Sequence, residues 1–172
     1  ADRQVTVNEL VQAVNAALIG CSGELRTPSK VCPGGYEPGP TGLTSSDLKR
    51  DGFGDETDVT VVFCNPLMPE HPDELVFFVI LSNHFGIPRS DLTQGTWAET
   101  SEEGLRTGRQ FLWDGDDLTY EDHHAKGHLI GPRTTEQGVE LIGPRTTGLT
   151  LHLAGIGNEE EMTFEWGKDY LP

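Results

Sequence analysis

The clearest alternation lies in residues 161–166. There Met162, Phe164 and Trp166 share one face, and Glu161, Thr163 and Glu165 share the other. A period of two is the signature of a strand with one buried face. Residues 59–64 and 75–81 are runs of β-branched, aromatic and other apolar residues, bounded by Asp or Pro, and each predicts a strand. Shorter strands are expected at 95–98, 109–113, 128–130, 139–142 and 149–153. One helix is expected over 6–19, where Val7, Leu10, Val11, Val14, Ala17 and Leu18 form a stripe at helical spacing. Thr6 and Glu9 fit a capping box at its start, and Gly20 supplies its stop.

Between helix and strands, residues 21–56 are rich in Gly, Pro and Ser and read as a tether or draped loop. The expected organisation is therefore a helix within 1–20, a tether over 21–56, and a domain over 57–172. About eight short strands separated by turns predict a mainly β fold, an antiparallel two-sheet, immunoglobulin-like sandwich preceded by one amphipathic helix.

Composition narrows the function. The 172 residues include 21 Gly and 11 Pro, which favours turns over helix bundles. With 12 basic against 28 acidic residues, the net charge is −16. Nucleic acid is excluded as a partner on that ground, because phosphate binding needs a cationic footprint. Membrane insertion is not expected, since no apolar run approaches the ~18 residues of a span. Affinity for cations or a basic protein partner suits the acidity better, and self-assembly is expected instead from the helix stripe, the tether and the repeated arms.

Cys21 and Cys32 flank a Ser/Gly/Pro loop and are expected to form a disulfide, which points to a secreted, extracellular or cell-surface location. Cys64, in the apolar run 59–64, is expected to behave as a small buried hydrophobe. The heptapeptide at 129–135, Leu-Ile-Gly-Pro-Arg-Thr-Thr, recurs at 141–147. Two copies are too few for a solenoid, and a duplicated strand-plus-turn is the expectation.

Candidate chemistry gathers in residues 121–128, which hold three of the six histidines beside Glu121 and Asp122. Imidazole is the commonest metal ligand. In a strand, His124 and His128 share a face about 13 Å apart, too far to share one ion. His84, at the exit of the strand over 75–81, is the expected distant partner. Asp114, Asp116 and Asp117 form an acidic turn, read as solvated.

Two resemblances add to this. Val5-Thr6-Val7-Asn8-Glu9-Leu10-Val11 and Val14-Asn15-Ala16-Ala17-Leu18 resemble the second half of an EF-hand or dockerin-type calcium motif. Placing Glu9 as the bidentate last ligand makes Asp2 a loop ligand, but Arg3 then occupies the glycine position. Asp2 and Glu9 are thus degenerate calcium-site candidates, and calcium is not expected. Residues 57–166 resemble a family of uncharacterised secreted β-sandwich domains, through Phe63-Cys64-Asn65-Pro66-Leu67, the segment from Leu75 to Phe85, Asp91-Leu92, Trp113, the segment from Asp122 to Leu129, and Met162 to Trp166. The resemblance implies that His84, His123 and His124 are the family's paired histidines. Ser82 stands where the family carries Asp, and Asn83 and Phe85 where it carries Thr and Ser. The expected function is a non-enzymatic extracellular domain binding zinc or copper through His84, His123 and His124. A surface-layer or filament subunit is the alternative.

Overall fold

Two antiparallel sheets carry the fold of this protein, whose computed structural model describes residues 32, 37–83, 91–101, 104–108, 111–116, 124–156 and 161–172. The larger sheet runs in the order β1 (Lys49–Gly54), β2 (Thr57–Phe63), β3 (Glu74–Ser82), β6 (His124–Pro132), β5 (Leu112–Gly115). The smaller is β4 (Trp97–Thr100), β7 (Gly148–Leu153), β8 (Met162–Gly167). The expected mainly β, two-sheet architecture is present. The expected N-terminal helix lies outside the described residues.

The apolar runs become the centre of the larger sheet because strands there are buried on both faces. On the inner face Val59, Val61, Phe63, Leu75, Phe77, Val79, Leu81 and Leu129 are buried, together with Phe164 and Trp166 of β8. Phe63 and Phe77 lie 5.4 Å apart, and each sits 5.6 Å from Trp166, so one aromatic cluster joins the two sheets. Such pairs add about 0.5–1.5 kcal/mol beyond area burial. The Trp166 Nε1–H donates to the Leu48 carbonyl at 2.7 Å, which satisfies the one polar atom of a buried ring. The alternation read at 162–166 holds, with Phe164 and Trp166 buried and Glu165 exposed.

Three local expectations are corrected. The span 21–56 is not all tether: α1 (Ser45–Leu48) and β1 occupy its end. Thr44 and Asp47 form a reciprocal capping box that starts α1. β1 escaped detection because it is an edge strand with exposed Lys49, Asp51 and Phe53, and so lacks an apolar signature. Residues 139–142 are not a strand. Leu141 and Ile142 are buried, but the chain there bends between Gly138 and Gly143 and makes only an isolated bridge from Glu140 to Thr134. Finally, Cys32 bonds Cys64, not Cys21. The apolar run correctly placed Cys64 in the interior, but burial is compatible with a bridge, and the pairing follows from where β2 ends.

The repeated heptapeptide folds in two ways. The first copy continues β6 through Pro132. The second makes a turn in which the Thr146 hydroxyl donates to the Leu141 carbonyl and accepts from the Gly143 amide, both at 2.9 Å. The copies also bind each other, since the Leu141 amide donates to the Arg133 carbonyl at 2.9 Å. Identical sequence thus takes whichever conformation its neighbours stabilise.

Two backbone features generate tests. Gly127 of β6 pairs with Gly115 of β5 at a close backbone approach, capped by the Trp113 ring. A Cβ on Gly127 would meet Gly115 Cα and the Asp114 carbonyl, so Gly127→Ala is expected to destabilise the domain by about 1–3 kcal/mol in urea unfolding. The β1–β2 hairpin turns through Asp55 and Glu56, both left-handed at φ 48° and 60°. Glycine tolerates that region best, so Glu56→Gly is expected to raise stability by about 1 kcal/mol in the same assay.

Candidate functional site

The outer face of the larger sheet divides into a covered half and an open half. Its residues fall into cross-strand rows fixed by register. One row, Val62, Phe78, His128 and Asp114, runs across β2, β3, β6 and β5. Val62, Phe78 and His128 in it are buried. Two steps away, the row Phe53, Asp58, Ser82 and His124 runs across β1, β2, β3 and β6. Here Asp58 and His124 are exposed, Ser82 is half-buried and Phe53 is 69 % exposed. Their strand neighbours Thr57, Val59, Leu81 and Ala125 point inward and are buried, which fixes the row on the outer face.

The four described histidines differ sharply in what their rings do. His71 is buried, and its Nδ1 lies 3.2 Å from Glu74 Oε2. His152 has both nitrogens facing carboxylates, Nδ1 to Glu161 at 2.7 Å and Nε2 to Glu99 at 3.3 Å. Its ring stacks on Trp97 with centroids 3.6 Å apart, and the Arg106 guanidinium lies 4.2 Å from the Trp97 centroid. That clasp on the smaller sheet uses its donors and acceptors internally, and sequence spacing gave no sign of it. His128 is 7 % exposed and packs edge-on against Phe78 at 5.3 Å. Burial pushes its pKa below the ordinary value, and neighbouring His71 adds to this. A hydrogen bond with the Cys32 main chain and the charge of Asp114 act the other way. His124 alone among the four is exposed and has no hydrogen-bond or ion-pair partner among the described residues.

The expected site residues are therefore separated. His124 stands directly across from Ser82. His128 belongs to the covered row, as its separation from His124 required. His84 and His123 lie outside the described residues, as do Asp2, Glu9 and Cys21. In the acidic turn, Asp116 accepts the Lys126 amide at 3.1 Å, a structural use, and Asp117 lies outside the described residues. Among the described residues, no group of three or more His, Cys, Asp or Glu could hold a metal ion. Of the three expected ligands only His124 is described, and its ring has no hydrogen-bond or ion-pair partner among the described residues.

Other residues of the sequence motifs hold the fold. The Asn65 side chain donates to the Glu74 carbonyl at 2.6 Å and accepts the Val76 amide at 2.8 Å, pinning the entry of β3. Buried Asn83 donates to the Thr57 hydroxyl at 3.0 Å and so braces the β1–β2 hairpin. Gly127 permits the close pairing with β5. Ser82 is half-buried and His124 exposed, so neither is a core position. Asp58 shares the row of Ser82 and His124. It reads as a strand-border residue, and only the register puts it beside Ser82. Elsewhere, a cavity of about 230 Å³ opens beside the second heptapeptide copy, lined among others by Thr100, Leu105, Leu141, Arg145 and Thr146.

His128 yields a pH prediction. A histidine with a depressed folded pKa is held neutral, so its contribution to stability is complete above its unfolded value near 6.5 and is lost as pH falls through the folded value. Thermal unfolding between pH 7 and pH 4.5 is expected to show a falling Tm, with a shallower slope in His128→Phe. Equal slopes in the two proteins would refute the assignment. Asp47 and Asp91, held below the usual carboxylate range first by hydrogen bonds from the side chains of Thr44 and Thr93, act only at lower pH.

Comparisons with protein-family models, curated proteins and solved structures return no match, so the site is read from its own geometry.

Proposed function

We propose that this chain is a non-enzymatic extracellular or cell-surface domain that binds a transition metal, zinc or copper, through His84, His123 and His124. The observation that carries the reading is the Ser82–His124 pairing. It joins the end of β3, the strand that leads to His84, to the start of β6, the strand that follows His123. It does so at an exposed histidine with free donor atoms. The other described histidines are committed to carboxylates or buried, which supports His124 as the member of the set available to an ion. The buried Cys32–Cys64 bridge supports an oxidising compartment, where structural disulfides persist. Among the described residues, no helix is long and apolar enough to cross a membrane.

Borderline Zn(II) and Cu(II) both accept imidazole nitrogen, and the ligands must be neutral to bind. Protons compete with the metal for these nitrogens, so affinity should fall as the solution is acidified. Isothermal titration of the whole chain with Zn(II) and Cu(II) tests the reading. His123→Ala is expected to weaken binding at least tenfold. Identical heats in the wild type and the variant would contradict it.

A further inference from the structure

We infer that the cavity of about 230 Å³ beside the second heptapeptide copy binds a free amino acid with a short aliphatic side chain. Thr100, Leu105, Glu140, Leu141, Pro144 and Arg145 are among its lining residues, and none of them belongs to the histidine site proposed above. Main-chain bonds hold the lining segments in place. The segment carrying Leu105 folds back on the end of β4, where the Thr100 amide donates to the Leu105 carbonyl at 3.0 Å and the Thr107 amide to the Ala98 carbonyl at 2.8 Å. In the heptapeptide turn the Thr146 amide donates to the Gly143 carbonyl at 3.0 Å. Sites for drug-sized ligands run to roughly 300–1,000 Å³, so this smaller, preformed cavity calls for a small occupant.

A buried hydroxyl supplies the first sign of a ligand. Five threonines are buried among the described residues, Thr57, Thr96, Thr100, Thr107 and Thr135. Thr57 accepts from Asn83, Thr96 accepts the Ala154 amide, Thr107 the Ala98 amide and Thr135 the Val139 amide. The Thr100 hydroxyl has no partner among the described residues, although Thr100 is 4 % exposed and lines the cavity. Valine has nearly the same shape and leaves no polar group unsatisfied, so packing alone gives no reason for a hydroxyl here.

Charge identifies the ligand class. Of the four described arginines, Arg50 donates to the Glu165 carbonyl, Arg106 pairs with Glu99, and Arg133 donates to the Ile142 carbonyl. Arg145 has no partner among the described residues, and the Glu140 carboxylate has none either. Both are exposed and line the one cavity, yet they do not pair with each other. A simple anion would meet repulsion from Glu140, and a simple cation repulsion from Arg145. A zwitterion satisfies both, its carboxylate accepting from the guanidinium and its ammonium donating to Glu140. Leu105, Leu141 and Pro144 then receive the aliphatic side chain, and Thr100 gives the ligand a further hydrogen bond.

Amide NMR of the whole chain tests this with three probes: L-leucine, 4-methylpentanoate, which lacks the ammonium group, and 3-methylbutylamine, which lacks the carboxylate. Leucine is expected to shift the Thr100, Leu105, Leu141 and Thr146 amides and to bind about tenfold tighter than either analogue. Arg145→Gln and Glu140→Gln, both at exposed positions, are each expected to remove that preference, the first over 3-methylbutylamine and the second over 4-methylpentanoate. Thr100→Val is expected to weaken leucine binding without lowering Tm, whereas a merely structural threonine would lower Tm and leave binding unchanged. Shifts absent from these four residues, or equal binding of leucine and either analogue, would overturn the inference.

Discussion

The constraint on which the structure depends is the register of β2 on β3 and β3 on β6. Phe63 against Phe77, and Phe77 against Leu129, put the aromatic cluster on the inner face, where Trp166 closes it from the smaller sheet. Because side chains alternate with a period of two, a slip of one residue would expose this cluster and bury Asp58, Ser82 and His124. Burying an unpaired carboxylate costs several kcal/mol, and truncating one buried phenylalanine costs about 3–5 kcal/mol. The packing of the core therefore selects the row on the opposite face. The candidate site is a by-product of the same choice that makes the core.

Paired glycines and a glycine-free turn show the same economy of constraint at the sheet margins. Gly115 and Gly127 let β5 and β6 approach closely under the Trp113 ring, while Asp55 and Glu56 accept left-handed backbone without glycine. Asn83 ties that turn to the end of β3 through Thr57, so the hairpin that carries Asp58 and the strand end that carries Ser82 are braced together. Bracing of this kind holds a strand end in place without contributing chemistry.

Much of the fold was legible because apolar runs and alternation report burial directly. The central strands and the closing strand at 162–167 follow from residue pattern alone. β1 was not legible because an edge strand buries little, and 139–142 misled because buried Leu141 and Ile142 pack from a bend. The heptapeptide states the limit plainly, since one sequence forms strand in one context and turn in another. The disulfide could not be assigned from spacing, as three cysteines allow three pairings. At the site, histidine clustering drew attention to His124 and strand geometry correctly set His128 apart. The place of Asp58 in their row was invisible because it is a matter of register between strands 24 residues apart in sequence, numbered from Asp58 to Ser82.

The central proposal is that His124, set beside Ser82 by the register of β3 on β6, binds a transition metal. Backbone amide NMR of the whole chain during titration with paramagnetic Cu(II) tests it most directly. The account predicts broadening that begins at Ser82 and His124 on two adjacent strands and spares His71 and His152. Broadening centred on His71 or His152, or confined to one strand, would contradict it.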